Sequence, residues 1–576
     1  MPLPTDIDPR LRRLALDNAL HHDGEARAGP LVSRLLASDP TLRQHASELN
    51  RLAATVASEV TAMTRPEQEH ALEVLGGPIA PVSRATETAG KLPSLTNIGD
   101  NGVVLRMAPF PSGALHIGNA RMLCINEAYR QRYRGKLLLV LDDTVGSDEK
   151  RIELEFFDLI LDDLKRFGIQ PDATYFKSDR IPRHYEWAAR MIERGAAYVC
   201  VCPADLLREN RRNGVECPER SQSVEKTRQE WQRMLDGGFT PGEAVLRLKT
   251  GMQDPDPAFR DRVLLRISDF NHPRVGHRYR VWPMLEFSWA VDDIELGVTH
   301  VIRGKDLVIE DRMEEFIWNL LGISGPQFLH WGILRVREAK VSKSKSYAEV
   351  KAGLYDGWAD PRTWSLRSLD RRGITADAIR QFTLSFGLSL ADIEVPAETL
   401  YAENRAIIDP ITPRRLFVPD PRLVHVEGYP SGLGPVPLPN HPDRPDLGTR
   451  LVATGPRFWL PGAELVKNAG AEIRLKDLLN IQLPPDVAPG LDGFVLAKFT
   501  SKENKRLPRI QWVSESDAVP VDLLDVDGTH RTGLAEGSLR GAAPGDRFQF
   551  ERVGFVRVEQ DWQSSSTPVR VCYGHA

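Results

Sequence analysis

The stretch at residues 102–143, GVVLRMAPFPSGALHIGNARMLCINEAYRQRYRGKLLLVLDD, decides the fold of this chain. It opens on a short apolar run, GVVLRM, and passes through a turn-rich loop, APFPSGA. An amphipathic pattern over 116–133 follows, and a second apolar run, KLLLVLDD, closes it. Continuous apolar runs bounded by turn residues read as buried strands, and apolar positions three and four apart read as a helix. Strand, helix, strand at this spacing is the βαβ unit of a parallel sheet. A second helix is expected where Phe156, Phe157, Ile160, Leu161, Leu164 and Phe167 share one face, followed by the strand-like ATYF at 173–176. The expected architecture is a doubly wound α/β domain, whose ligands sit at the carboxyl ends of its strands. APFPSGALHIGN falls there.

At 576 residues, 41% hydrophobic and 27% charged, the chain is an ordinary globular sequence too long for one core, so three to five domains are expected. LRRLALDNAL, GPLVSRLLA and LNRLAATVASEVTAM make residues 1 to 75 helical, and small and polar residues over 76–100 read as a linker. Residues 200–280 break the α/β rhythm as an insertion. LGVTHVIRG at 296–304 returns to the sheet, and REAKVSKSKSYAEV at 337–350 reads as a lysine-rich loop before a helical stretch to about 405. Beyond 409, short strands in RLFVPD, RFWLPG, FVLAKF, RIQWV and RFQFERVGFVRV suggest β-barrels. There is no internal repeat.

No apolar run approaches the roughly 20 residues that cross a bilayer, and MPLPTDIDPRLRRLALDNALHH carries charges where a signal peptide needs apolar residues. A cytoplasmic protein with no membrane partner is expected. Five cysteines, Cys124, Cys200, Cys202, Cys217 and Cys572, are too few and too clustered for a disulfide framework. A net charge of -4 gives no global signature of nucleic-acid binding, and a local basic face is compatible with it.

Two motifs carry chemistry. A helix N-terminus presents unpaired N–H groups and a positive dipole end, so a Gly- and Pro-shaped loop entering a helix suits phosphate. Gly113 and Gly118 let backbone approach a nucleotide, and His116 is placed to donate to phosphate oxygens. The plain alternative is a tight turn with an incidental histidine. Downstream, KVSKS at 340–344 with Lys345 beside it suits a lysine loop that neutralises a leaving pyrophosphate. The plain alternative there is a solvated charged surface. The two motifs in this order, on two halves of one sheet, are far more specific than either alone.

The pair resembles the HIGH and KMSKS signatures of class I aminoacyl-tRNA synthetases, and the wider sequence resembles the archaeal- and eukaryotic-type glutamyl-tRNA synthetases. The similarity runs through LDDT, AYVCVCP, YRVWP, DDIELGVTHVIRG, VSKSKS, ADPRTWSLRSLDRRGI and ERVGFVRV. It implies a multidomain α/β protein with a helical N-terminal region and linker over 1–100 and a Rossmann-like catalytic domain over 101–199. An acceptor-binding insertion would follow over 200–280, then the second catalytic half with KVSKS over 281–345. A helical connecting domain over 346–409 and β-barrel anticodon-binding domains over 410–576 complete it.

The resemblance further implies a monomeric glutamate-tRNA ligase that uses ATP and Mg2+ to form an adenylate and passes the acyl group to tRNA. The tRNA is that for glutamate, with tRNA for glutamine left open. By resemblance, His116, Asn119 and Lys343 are catalytic, and Pro111, Ser112, Gly113, His116, Gly118, Asn119, Lys340 and Lys343 contact ATP. Arg106, Ala108, Asp142, Leu285 and Arg303 contact the amino acid. Asp142 matches the acid that pairs with the substrate's α-ammonium, and Arg106 and Arg303 match the arginines that hold its carboxylates, work for which a planar guanidinium fork is suited.

Departures from the family pattern cluster at the amino-acid site. Asn119 replaces the second histidine of HIGH, Leu285 a usual tyrosine, Phe110 a usual small polar residue and Val140 a usual arginine. Cys200, Cys202 and Cys217 resemble a zinc knuckle, but Glu219 stands where a histidine is common, so zinc and buried free thiols are both open readings. The barrel segment LAKFTSKENKRLPRIQW suits stacking and phosphate contact with single-stranded bases. The alternatives are a paralogue charging a different amino acid, a tRNA-binding homologue with weak or lost catalysis, and, more distantly, a simple nucleotidyltransferase.

Overall fold

The structure is a computed structural model and describes residues 7–20, 24–29, 31–32, 35, 45–75, 77, 92–145, 152–339, 343–490, 492–564 and 566–576. The chain divides into two units, Met1–Ala89 and Gly90–Ala576. The described helices of the first unit are Ile7–Leu20, Ala46–Thr61 and Arg65–Val74. Ile7, Leu11, Ala15 and Ala19 recur every fourth residue and pack with Leu49, Ala53, Val56 and Val60 in one core, as the apolar spacing predicts. Glu67 accepts from the Thr64 N–H at 2.7 Å and closes the mouth of the last helix.

The second unit is built on a five-stranded parallel sheet. Its strands are β1 (Val104–Met107), β2 (Lys136–Leu141), β3 (Ala173–Phe176), β4 (His300–Gly304) and β5 (Gln327–Trp331), in the order β3-β2-β1-β4-β5. Leu105 pairs with Leu137 on one side and His300 on the other, so β1 and β4 are the strands where the winding reverses. A cleft at the carboxyl ends of that pair is where such sheets bind ligands. Four helices flank these strands: α1 (Ala120–Tyr133) links β1 to β2, α2 (Leu154–Arg166) links β2 to β3, α3 (Leu285–Glu295) leads into β4, and α4 (Val308–Leu321) links β4 to β5. α1 ends at Arg134 in the left-handed region, and Gly135 then passes so close to β1 that a Cβ there would meet the Val103 carbonyl oxygen at 2.5 Å. The expected face of α2 is buried through Phe156, Phe157, Ile160 and Leu164, whereas Leu161 lies at the solvent edge.

Between the halves of the sheet, Ala197–Cys200, Val245–Leu248, Val263–Ile267 and Val281–Pro283 form an antiparallel sheet of four strands in chain order. After β5, the stretch read as a lysine loop contains a helix, Lys343–Lys351. Helices Leu366–Arg371, Ala376–Leu384 and Ala397–Ile408 follow.

Two seven-stranded sheets complete the chain, and each is closed by one short segment. Arg414–Arg415 and Phe417–Pro419 form the opposite edges of the first sheet, and Arg509–Ile510 and Val513–Ser514 form those of the second. A few consecutive residues can reach both edges only if the sheet curls, which gives the barrel-like form expected from the sequence. Among the described residues, no helix is long and apolar enough to cross a membrane.

Candidate active site

The loop after β1 enters α1 through a tight turn. A Cβ on Gly113, at φ +138°, would sit 2.3 Å from the Trp358 ring, so only glycine lets the loop pack there. The Leu115 N–H donates to the buried Asp163 carboxylate at 2.9 Å, and burial pushes that carboxyl up to about 6. His116 and Asn119 then cap the turn reciprocally. The His116 N–H donates to Asn119 Oδ1 at 3.1 Å, and His116 Nδ1 accepts from the Gly118 N–H at 3.1 Å. An accepting Nδ1 fixes the tautomer that carries its proton on Nε2. The first turn, Ile117–Asn119, is therefore a 3-10 turn, and α1 proper begins at Ala120.

His116 and Gly118 line a cleft of about 730 Å³ with Asp306, Trp331, Arg335 and Lys345, at the carboxyl ends of β4 and β5. Pro111, Ser112 and Gly113 are not among its lining residues. Lys340 lies outside the described residues. Lys343 opens the helix Lys343–Lys351, and its side chain also lies outside the description.

Three of the residues expected at the amino acid, Arg106, Asp142 and Arg303, form a second, buried cluster. Arg106 on β1 holds Asp293 of α3 by two hydrogen bonds, at 2.7 and 2.9 Å. Arg303 on β4 donates to Asp311 at 2.7 Å and to Glu314 at 2.7 Å, both on α4. Burial pushes the Glu314 carboxyl up to about 8 despite the adjacent Arg303. Asp142, just beyond β2, accepts from Thr144 Oγ1 at 3.0 Å. Leu285 is half-buried at the start of α3. Ala108 and Val140 pack with Leu138, Val298 and Val301 in a small apolar patch.

Three groups in this cluster were not read from the sequence. Lys177, at the end of β3, places its ammonium 3.3 Å from Asp142 and donates to Ser288 Oγ at 2.6 Å. Trp289 of α3 has the guanidinium carbons of Arg106 and Arg303 each 4.7 Å from a ring centroid, and the Lys177 ammonium at 4.9 Å. Asp292 pairs with Arg180 at 2.6 Å; burial opposes its ionisation, but His184, Lys177 and Arg180 outweigh burial and hold it at about 2. Two signals pointed this way: a lysine at a strand's carboxyl end, and the acidic pair Asp292 and Asp293 directly after the apolar WAV in LEFSWAVDDIE. Periodicity alone does not pair charges more than a hundred residues apart.

A third group lies in the insertion. Cys200, Cys202, Cys217 and Glu219 place one ligand atom each within 4.8 Å of one another. The Cys200 and Cys217 sulfurs are 3.6 Å apart, and the Cys202 sulfur is 3.9 Å from Glu219 Oε2. A tetrahedral zinc with Zn–S bonds of about 2.3 Å sets its sulfurs roughly 3.8 Å apart, so the donor set fits the ion. Glu219 supplies the fourth donor that the cysteines lack. Arg247, fully buried, donates to Cys217 Sγ at 2.9 Å. Cys124 and Cys572 are buried elsewhere.

The family model for tRNA synthetases class I (E and Q), catalytic domain, matches residues 102–409, which hold the whole sheet and both charged clusters. The chain belongs to this class I synthetase family. Two anticodon-binding domain models of the same family match residues 412–490 and 509–559, in the two barrel-like sheets. The class I relatives include the glutamate–tRNA ligase of Pyrococcus furiosus, 36% identical over 567 residues, covering 96% of this chain and 98% of that protein. Those of Methanopyrus kandleri and Methanothrix thermoacetophila are 37% and 38% identical, covering 98% and 96% of this chain and 98% and 97% of their own lengths. A class I synthetase uses ATP.

Proposed function

We propose that this chain is a glutamate-tRNA ligase of archaeal type. Glutamate's α-carboxylate attacks the α-phosphorus of ATP, the bond to the β-phosphate bridging oxygen breaks, and pyrophosphate leaves. A hydroxyl of the tRNA's terminal ribose then attacks the adenylate carbonyl and AMP departs. No protein nucleophile is needed, so the protein's part is positioning and electrostatics. The observation that carries the reading is the juxtaposition of the cleft lined by His116, Gly118 and Lys345 with the Arg106, Asp142 and Arg303 cluster, at the carboxyl ends of one sheet.

In this reading His116 and Gly118 face ATP, with Asn119 holding His116 in place. Lys340 and Lys343 neutralise the leaving pyrophosphate, and Mg2+ accompanies ATP as its counter-ion. Asp142 takes the α-ammonium, and Arg106 and Arg303 take the carboxylates. Cys200, Cys202, Cys217 and Glu219 hold a zinc ion that pins the insertion. The domain limits follow the sequence reading: 1–100, 101–199, 200–280, 281–345, 346–409 and 410–576. The insertion cradles the acceptor end of tRNA for glutamate, and the barrels read its anticodon. The ligase works as a cytoplasmic monomer. Charging of tRNA with labelled glutamate, with ATP and Mg2+, tests the reading. Glutamyl-tRNA is expected, and no charged tRNA at saturating glutamate would overturn it.

A further inference from the structure

Arg106, Asp142, Lys177, Trp289 and Arg303 are each 5% exposed or less, and each is engaged with its neighbours. Both arginines hold protein carboxylates, Asp293 for one and Asp311 with Glu314 for the other. Asp142 holds an ammonium, that of Lys177, which Ser288 anchors from the other side. The indole of Trp289 lies against all three cations, and its Nε1 is buried without a hydrogen-bond partner among the described residues.

We propose that Lys177 and Trp289 control how tightly the amino-acid subsite binds its substrate. Lys177 rivals the substrate's α-ammonium for Asp142, and the Trp289 indole occupies the space between Arg106 and Arg303 that an acidic side chain must enter. This rests on reading Asp142 as the partner of the α-ammonium. Two ammonium groups at one carboxylate repel one another in a buried site, where the effective dielectric is low. The amino acid therefore binds only as Lys177 gives way, and a close-packed indole yields its volume only with rearrangement of α3. Both effects act on binding of the amino acid rather than on the transfer of the adenylyl group, so they raise KM and leave kcat nearly unchanged.

The test uses the full chain with tRNA, ATP and Mg2+. Lys177→Met keeps most of the side chain's length and removes its charge, Trp289→Val opens the ring's volume, and Ser288→Ala loosens Lys177 without touching its charge. The proposal expects the glutamate KM in pyrophosphate exchange to fall on the order of tenfold in K177M, with kcat within about threefold of the parent. W289V and S288A shift KM the same way by less. Because K177M leaves Asp142 without its ammonium, glutamate should also raise the Tm of K177M more than that of the parent, which a merely structural lysine would not produce.

A glutamate KM that stays the same or rises in K177M overturns the proposal. Should K177M fail to fold, S288A decides in the same way. Equilibrium dialysis of labelled glutamate separates the two readings. Tighter binding in K177M without any exchange supports the subsite proposal and sinks the ligase reading, whereas unchanged dialysis overturns the subsite proposal whatever the exchange activity.

Discussion

Arg106 and Asp293, on β1 and α3, meet edge to edge, Nε to Oδ1 at 2.7 Å and Nη2 to Oδ2 at 2.9 Å, in the interior of the catalytic domain. This fork joins the two halves of the sheet across the whole insertion and fixes the plane of an arginine assigned to substrate. Removing one partner of a buried pair strands the other charge. Asp293→Ala is expected to lower stability by about 3–5 kcal/mol, read in urea unfolding. Arg106→Lys, which keeps the charge and loses the fork, should lower kcat/KM for glutamate more than it lowers stability. Equal stability of D293A and the parent would contradict this account of the pair.

Glu314 gives the domain a pH dependence of definite sign. Its carboxyl stands at about 8 in the fold against an ordinary 4.5, so folding binds a proton there. Its contribution is complete below the ordinary value and is lost as pH rises toward 8. Glu314→Gln, which keeps an acceptor for Arg303, should flatten the fall in Tm across that window. A parallel fall in both proteins would refute it.

The reciprocal caps of His116 and Asn119 predict unequal variants. Asn119→Ala removes a cap, and a stability loss of about 1 kcal/mol with a modest loss of exchange rate is expected. His116→Ala removes a group assigned to ATP and should cost about 100-fold in kcat/KM for ATP. Similar kinetic losses in the two variants would show that the histidine acts through the turn alone.

Purified under zinc-replete conditions, the chain should carry about one zinc by elemental analysis, with a Tm that chelation lowers. Cys217→Ser should release the metal and Glu219→His should keep it. Absence of zinc from the folded parent would leave the four residues as free thiols and a carboxylate.

Much of this was legible in the sequence. Apart from Arg106 and Lys136, VVLRM and KLLLVL are apolar on both faces because a parallel sheet is covered on both, so their runs announce β1 and β2 directly. His116 and Asp142 were read as candidates because LHIGN and LDDT resemble family motifs, and they lie beyond the ends of β1 and β2. Lys343–Lys351 was missed as a helix because SKSYAEV has no apolar stripe. Lys177 and Trp289 were missed for a different reason: their meaning lies in an ion pair with Asp142 and in cation–π contacts with Arg106 and Arg303, which only the folded sheet brings together. Glu219 became a candidate ligand once the three thiols were seen around it.

The most direct test of the central claim is ATP–pyrophosphate exchange by the purified chain, run across the proteinogenic amino acids with total tRNA present. The account predicts exchange that is selective for glutamate. Exchange selective for another amino acid, or none at all while tRNA is still bound, would contradict it.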